Sequence, residues 1–114
     1  ALAPRYRRLG LIAANAQGLA GVERTLYGAN PSLGLLGASL LPVVVDIEAG
    51  MPPAELVERR RLGELAEWFR FCGMEALVLG CTHFPYFKTA LAERTSLPLI
   101  DPAEEMVARL TAAT

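Results

Sequence analysis

The sequence predicts an α/β fold, a three-layer sandwich in which a mostly parallel sheet lies between helices. Three observations carry this. Short apolar runs alternate with amphipathic segments along the 114 residues. The run "MEALVLG" is apolar at nearly every position, as in a central parallel strand buried on both faces. Pro and Gly sit where helices begin and end, at Pro52, Pro53 and Gly73.

In chain order, "RLGLIAA" (8–14) is the first expected strand, bounded by Arg8 and Asn15. From Gly18 to Tyr27, the spacing of Leu19, Val22 and Leu26 predicts a helix. "GANPS" reads as a turn and "SLGLLGA" (32–38) as a second strand. "LPVVVDIEAGMPP" has a β-branched trio, but Pro42 and the Gly50–Pro53 cluster confine it, so a loop with a short turn is expected. One long helix is expected from Pro53 to Arg70, with Leu56, Leu62, Leu65 and Phe69 as its apolar stripe and Gly73 as its stop. The strand of "MEALVLG" follows, then a short helix over 86–94. "LPLID" reads as a last strand, in this sheet or in another. "PAEEMVARL" reads as a last helix, with Asp101 as N-cap and Pro102 in its first position.

Composition narrows the function. The chain is 53% hydrophobic and 20% charged, a globular balance, and its net charge is −1. A nucleic-acid binder would show a basic footprint, so none is expected. The run "ERRR" at 58–61, followed by Glu64 and Glu67, reads as a solvated helix face. No apolar run reaches membrane-spanning length, and the longest is cut by Pro42. The start "ALAPRYRR" lacks a signal-peptide pattern and a Met, so a cytoplasmic and trimmed or partial chain is expected. Two cysteines, Cys72 and Cys81, make no disulfide framework. No metal, nucleotide or pyridoxal site is expected, since there is no phosphate-binding Gly loop, no second metal-ligand pair and only Lys88 as lysine. Lys88 itself reads as solvent-facing.

The chemistry concentrates in "ALVLGCTHFPYF", residues 76–87. Parallel α/β sheets bind ligands outside the carboxyl ends of their strands. Cys81, Thr82 and the only histidine, His83, stand at that edge, and Pro85 suits the first turn of a helix beyond. A helix N-terminus and a nearby imidazole both favour the thiolate, which is the reactive form. Alone, Cys81 would read as a small buried hydrophobe and His83 as a satisfied core or capping histidine. Their combination at a strand mouth turns the reading toward chemistry. Cys72, at a helix end in "FRFCGM", reads as structural and buried.

These residues carry a family resemblance. "LVLGCTHFP" (77–85) resembles the second catalytic-cysteine signature of glutamate racemases, in the aspartate/glutamate racemase superfamily. "RLGLIA" is similar to the strand opening their second lobe, and "LPVVVDIEAG" to a segment that sets an acid beside the active-site histidine. "LPLIDPAEEMVARL" resembles the return of the chain into the first lobe. The resemblance implies one lobe of that two-lobed fold, with 1–97 as the second lobe and 98–114 as the return toward a first lobe. It implies racemisation of an acidic amino acid without cofactor, by two cysteines facing Cα from opposite sides, to supply D-glutamate for peptidoglycan. Cys81 matches the base for the L-enantiomer, His83 its assistant and Glu48 the acid paired with the histidine. Thr82 matches a substrate-carboxylate binder.

The sequence also departs from the family's pattern. Its first catalytic cysteine, in a Cys-Asn-Thr-like motif, does not occur here, so this chain alone is expected to be inactive and to need the missing lobe as partner. Where the family carries substrate-binding threonines, this chain has "AANAQG". Asn15 and Gln17 could bind a carboxylate there or be ordinary loop residues. "ASLLP" replaces an Ala-Cys-Pro. Three readings stay open: a glutamate racemase lobe, a relative acting on aspartate, a hydantoin or another substrate, and a non-catalytic binding lobe. A lobe with its cleft face bare also suits self-association, a homodimer included.

Overall fold

The computed structural model describes residues 6–101. Its elements, in chain order, are β1 (Arg8–Ala13), α1 (Ala16–Ala29), β2 (Gly34–Ser39), α2 (Leu41–Glu48), α3 (Pro53–Arg59), α4 (Leu62–Phe71), β3 (Ala76–Leu79), α5 (Pro85–Ala92) and β4 (Leu99–Ile100). The strands form one sheet in the order β2-β1-β3-β4, and every neighbouring pair is parallel. The expected α/β sandwich is the fold observed. The last strand joins this sheet, with Leu77 opposite Leu99 in register. The expected final helix, 102–110, lies outside the described residues.

Strand alternation splits the core in two. Leu9, Leu11, Ala76 and Val78 point to the face covered by α1, where Leu26 is fully buried. Ile12, Leu77 and Leu79 point to the other face, against Val43 of α2, Leu56 of α3, Phe69 of α4 and Phe87 of α5. Every residue of β3 is buried, as its apolar run requires of a strand between two neighbours and two helical layers. The chain leaves β1 toward β2 on one side and reaches β3 on the other. A crevice is therefore expected between the carboxyl ends of β1 and β3.

Two expectations about helices were wrong. The segment read as a loop is the helix α2. Pro42 lies in its first turn, where a missing N–H costs nothing, and Val43 and Val44 bury against the core. The long helix expected over 53–70 is two helices. Arg61 has φ 54°, a left-handed conformation rare for a residue with a side chain, and it breaks the rod between α3 and α4. The break lets Leu56 and Val57 on one piece and Leu62, Ala66 and Phe69 on the other reach the same core. It also brings Gly63 so close to Arg94 that an added Cβ would lie 2.9 Å from that residue's Cβ. Smaller differences are the longer α1, which begins at Ala16, and β4, which has two residues.

Gly73 stops α4 as expected. Its φ of 92° is left-handed, and its N–H and that of Met74 close on the carbonyls of Arg70 and Phe69.

Candidate active site

Gly80 brings the end of β3 against β1. Its N–H donates to the Ile12 carbonyl at 2.7 Å, and a Cβ on it would lie 2.8 Å from that same oxygen. Only glycine fits that approach without a shift. The chain then turns away from the sheet: the Phe84 N–H closes on the Cys81 carbonyl, and α5 starts at Pro85. Phe84 and Phe87 are fully buried and their rings pack with centroids 5.2 Å apart. These anchors hold the Cys81–His83 turn at the sheet's carboxyl edge.

Cys81 is half-buried, and its Sγ lies 3.7 Å from Nδ1 of His83. The other ring nitrogen, Nε2, is 3.4 Å from Oε2 of Glu48, the last residue of α2. Thiol, imidazole and carboxylate thus form a line drawn from two separate elements. With its proton on Nε2, the ring turns an N–H to the side where the Glu48 carboxylate stands at ion-pair distance and presents the Nδ1 lone pair to the thiol. In that tautomer the ring is oriented to take the Sγ proton. His83 and Glu48 keep 38% and 63% of their side-chain surface exposed, so the line opens to solvent, where a small molecule can reach it.

No family model matches the sequence. Among curated proteins, the glutamate racemase of Limosilactobacillus reuteri (strain DSM 20016) is 31% identical over 105 residues, which are 90% of this chain and 39% of the relative. The glutamate racemase of Desulforudis audaxviator (strain MP104C) is 35% identical over 107 residues, 88% of this chain and 37% of the relative. The crystal structure of glutamate racemase from Francisella tularensis subsp. tularensis SCHU S4 in complex with D-glutamate superposes with a TM-score of 0.75 at 25% identity, over 98% of this chain and 43% of that one. The chain is homologous to one lobe of glutamate racemases. It spans less than half the length of each of these relatives.

The other residues singled out in the sequence fall differently. Thr82 is exposed between Cys81 and His83. Asn15 is the N-cap of α1, and its Oδ1 accepts the Gly18 N–H at 2.8 Å. Gln17 is exposed in the first turn of the same helix. Among the described residues no hydrogen bond joins either of them to Cys81, His83 or Glu48.

Cys72 corrects an expectation: it is exposed, not buried, because it caps the end of α4 after the last core residue, Phe69. Lys88 is half-buried rather than fully solvent-facing. Arg60 does not belong to a merely solvated face. It pairs with Asp46 of α2, which is only 8% exposed. The hydrogen bond from Arg60, together with the charges of Arg60 and Arg59, holds the Asp46 carboxyl below its ordinary value against the opposing effect of burial. The signal for this pair was in the sequence: a lone Asp inside "VVVDIE" needs a partner if its neighbours are buried. A second contact had no sequence signal. The Tyr86 hydroxyl donates to the Met51 carbonyl at 2.7 Å and ties α5 to the segment just after Glu48.

Proposed function

We propose that this chain is the catalytic-cysteine lobe of a glutamate racemase, in which Cys81 is the base that removes the Cα proton of L-glutamate. The observation that carries this reading is the Cys81–His83–Glu48 line at the carboxyl edge of β3. Homology over about nine-tenths of the chain supports it. The Cα–H is a very weak acid, so the base must be aligned and held in its reactive form. His83 takes the thiol proton and Glu48 orients the ring. The thiolate then attacks the Cα proton, leaving the electron pair on the carbanion-like carbon. A thiol on the opposite face donates a proton there and completes the inversion. The described part of the chain offers no such second thiol, since Cys72 caps a distant helix end. That partner comes from the complementary lobe. Thr82 contributes its N–H and hydroxyl to the substrate carboxylate at the start of α5. No cofactor is needed for this chemistry. The product, D-glutamate, places the enzyme in peptidoglycan supply, a cytoplasmic task.

Asn15 and Gln17, in place of the family's threonines, favour a second reading in which the same cysteine acts on a related acid or cyclic substrate.

The test is Cα hydrogen exchange in D2O, followed by NMR, with this lobe joined to its complementary lobe. Exchange on L-glutamate should appear, vanish in Cys81→Ala and persist in Cys72→Ala. Exchange on L-aspartate alone selects the second reading. Absence of exchange on any acidic amino acid, or an unaffected Cys81→Ala protein, sinks the catalytic role and leaves a binding lobe.

A further inference from the structure

We propose that Tyr86 is a positioning residue for this site: its hydroxyl, by holding the Met51 carbonyl, sets Glu48 against His83. The proposal rests on the reading of Cys81, His83 and Glu48 as one functional line.

Glu48 is the last residue of α2, and helix ends fray. Its contact with His83 is solvent-exposed on both sides, and an exposed ion pair is too weak to fix a helix end by itself. Core packing and the Asp46–Arg60 pair hold the inward face of α2, but Glu48 lies on its exposed face, and α5 itself packs chiefly against α3. Among the described residues, the side-chain hydrogen bond that crosses from α5 to the segment just after α2 is the Tyr86 hydroxyl on the Met51 carbonyl. It sits symmetrically on the two partners. Met51 is three residues beyond Glu48, and Tyr86 is three residues beyond His83. The Tyr86 N–H also donates to the His83 carbonyl at 3.2 Å, so the tyrosine is fixed to the turn that carries the imidazole.

The Met51 carbonyl is itself a firm target. The Met51 N–H donates to the Asp46 carbonyl at 3.1 Å, and the Gly50 N–H to that of Ile47 at 3.0 Å. Asp46 is held in turn by Arg60. The result is a closed ring of contacts: His83 to Tyr86, Tyr86 to Met51, Met51 back along the chain to Glu48, and Glu48 to His83. Removing the hydroxyl opens the ring on the side opposite the imidazole. Glu48 then loses its tie to α5 and samples positions away from Nε2 more often, which weakens the carboxylate's bias toward the Nε2–H tautomer.

His83 is the only histidine, so its two ring nitrogens give one unambiguous pair of resonances in 15N-histidine-labelled chain. The readout is the ratio of Nε2–H to Nδ1–H tautomer of the neutral ring. Glu48→Ala should lower that ratio. Tyr86→Phe keeps the half-exposed aromatic ring and removes only the oxygen, so it should fold, melt cooperatively, and lower the ratio roughly twofold, as for one modest hydrogen bond. In a Glu48→Ala background Tyr86→Phe should change nothing further. The proposal is overturned if Tyr86→Phe leaves the ratio unchanged, or lowers it equally without Glu48. The measurement needs neither substrate nor second lobe. A failure of Cα exchange therefore counts against the racemase reading and not against the positioning role, and the converse also holds.

Discussion

Gly80→Ala should damage this protein out of proportion to one methyl group. The new Cβ would lie 2.8 Å from the Ile12 carbonyl oxygen and 3.1 Å from Cγ2 of Val22. The first neighbour is backbone and cannot rotate away. It is also the acceptor of the Gly80 N–H at 2.7 Å, so retreat from the methyl stretches that bond. Ile12 and Leu79 are paired in register and each is 1% exposed, which leaves little slack for the strands to part. Overpacking costs about 1–3 kcal/mol, and weakening a buried backbone hydrogen bond adds about 1 kcal/mol. Gly80 does not have positive φ, so alanine recovers about 0.4–1 kcal/mol by restricting the unfolded chain. The net expectation is a loss of about 2 kcal/mol. Urea denaturation reads it as a lower midpoint at unchanged slope. Gly21→Ala is the control: it sits inside α1 with nothing within 4 Å of a built Cβ, and it should stabilise by up to about 1 kcal/mol. A Gly80→Ala midpoint within about 0.5 kcal/mol of the parent, the scatter of ordinary surface substitutions, would refute the argument that glycine is required by close approach of β3 to β1.

The other expectations are briefer. Phe69→Ala, at a fully buried position whose ring also packs against Gly10, should cost about 3–5 kcal/mol and be read in the same denaturation series. Asp46, Glu67 and Glu75 each have a lowered pKa, chiefly through hydrogen bonds from Arg60, from Thr95 and from the Arg7 N–H respectively. A carboxyl held lower in the folded state stabilises above its unfolded value, 3.8 for Asp and 4.5 for Glu, and that stability is lost as pH falls through the folded value. Thermal midpoints should therefore be flat well above these values and decline progressively as pH drops below them, with Asp46→Asn giving a shallower decline; an equal decline in Asp46→Asn would count against the Asp46 share. Cys72 is exposed, so iodoacetamide should label it in the folded chain; labelling only in urea would contradict its placement.

Much of the fold was legible because its signals are local and period-bound. The uniformly apolar run 76–79 could only be a strand covered on both faces, and Gly73 could only be the stop before it. The position of Cys81 and His83 followed from that strand's end. The break at Arg61 was not legible, because left-handed arginine is favoured by no sequence rule and is held there by core contacts on both sides. Tyr86 was not legible either: its partner is a backbone carbonyl 35 residues away, and carbonyls carry no sequence signature. Asn15 was ambiguous for a physical reason, since the same amide oxygen that could meet a ligand also caps the helix that follows.

The helix at 41–48, where a loop was expected, separates two acids that a strand would have kept together. Asp46 and Glu48 are two residues apart. In a strand, side chains two apart share a face, and both acids would turn inward or both outward. In a helix they are separated by about 200° around the axis, from about 100° per residue. Asp46 can then go inward to Arg60 while Glu48 stays 63% exposed and meets His83. The same geometry buries Val43 and Val44 and leaves Val45 56% exposed. Helix propensity opposes the three valines, so the conformation is held by burial and by the Asp46–Arg60 pair rather than by local preference. The acid that pairs with Arg60 and the acid that meets His83 thus lie on two faces of one short helix.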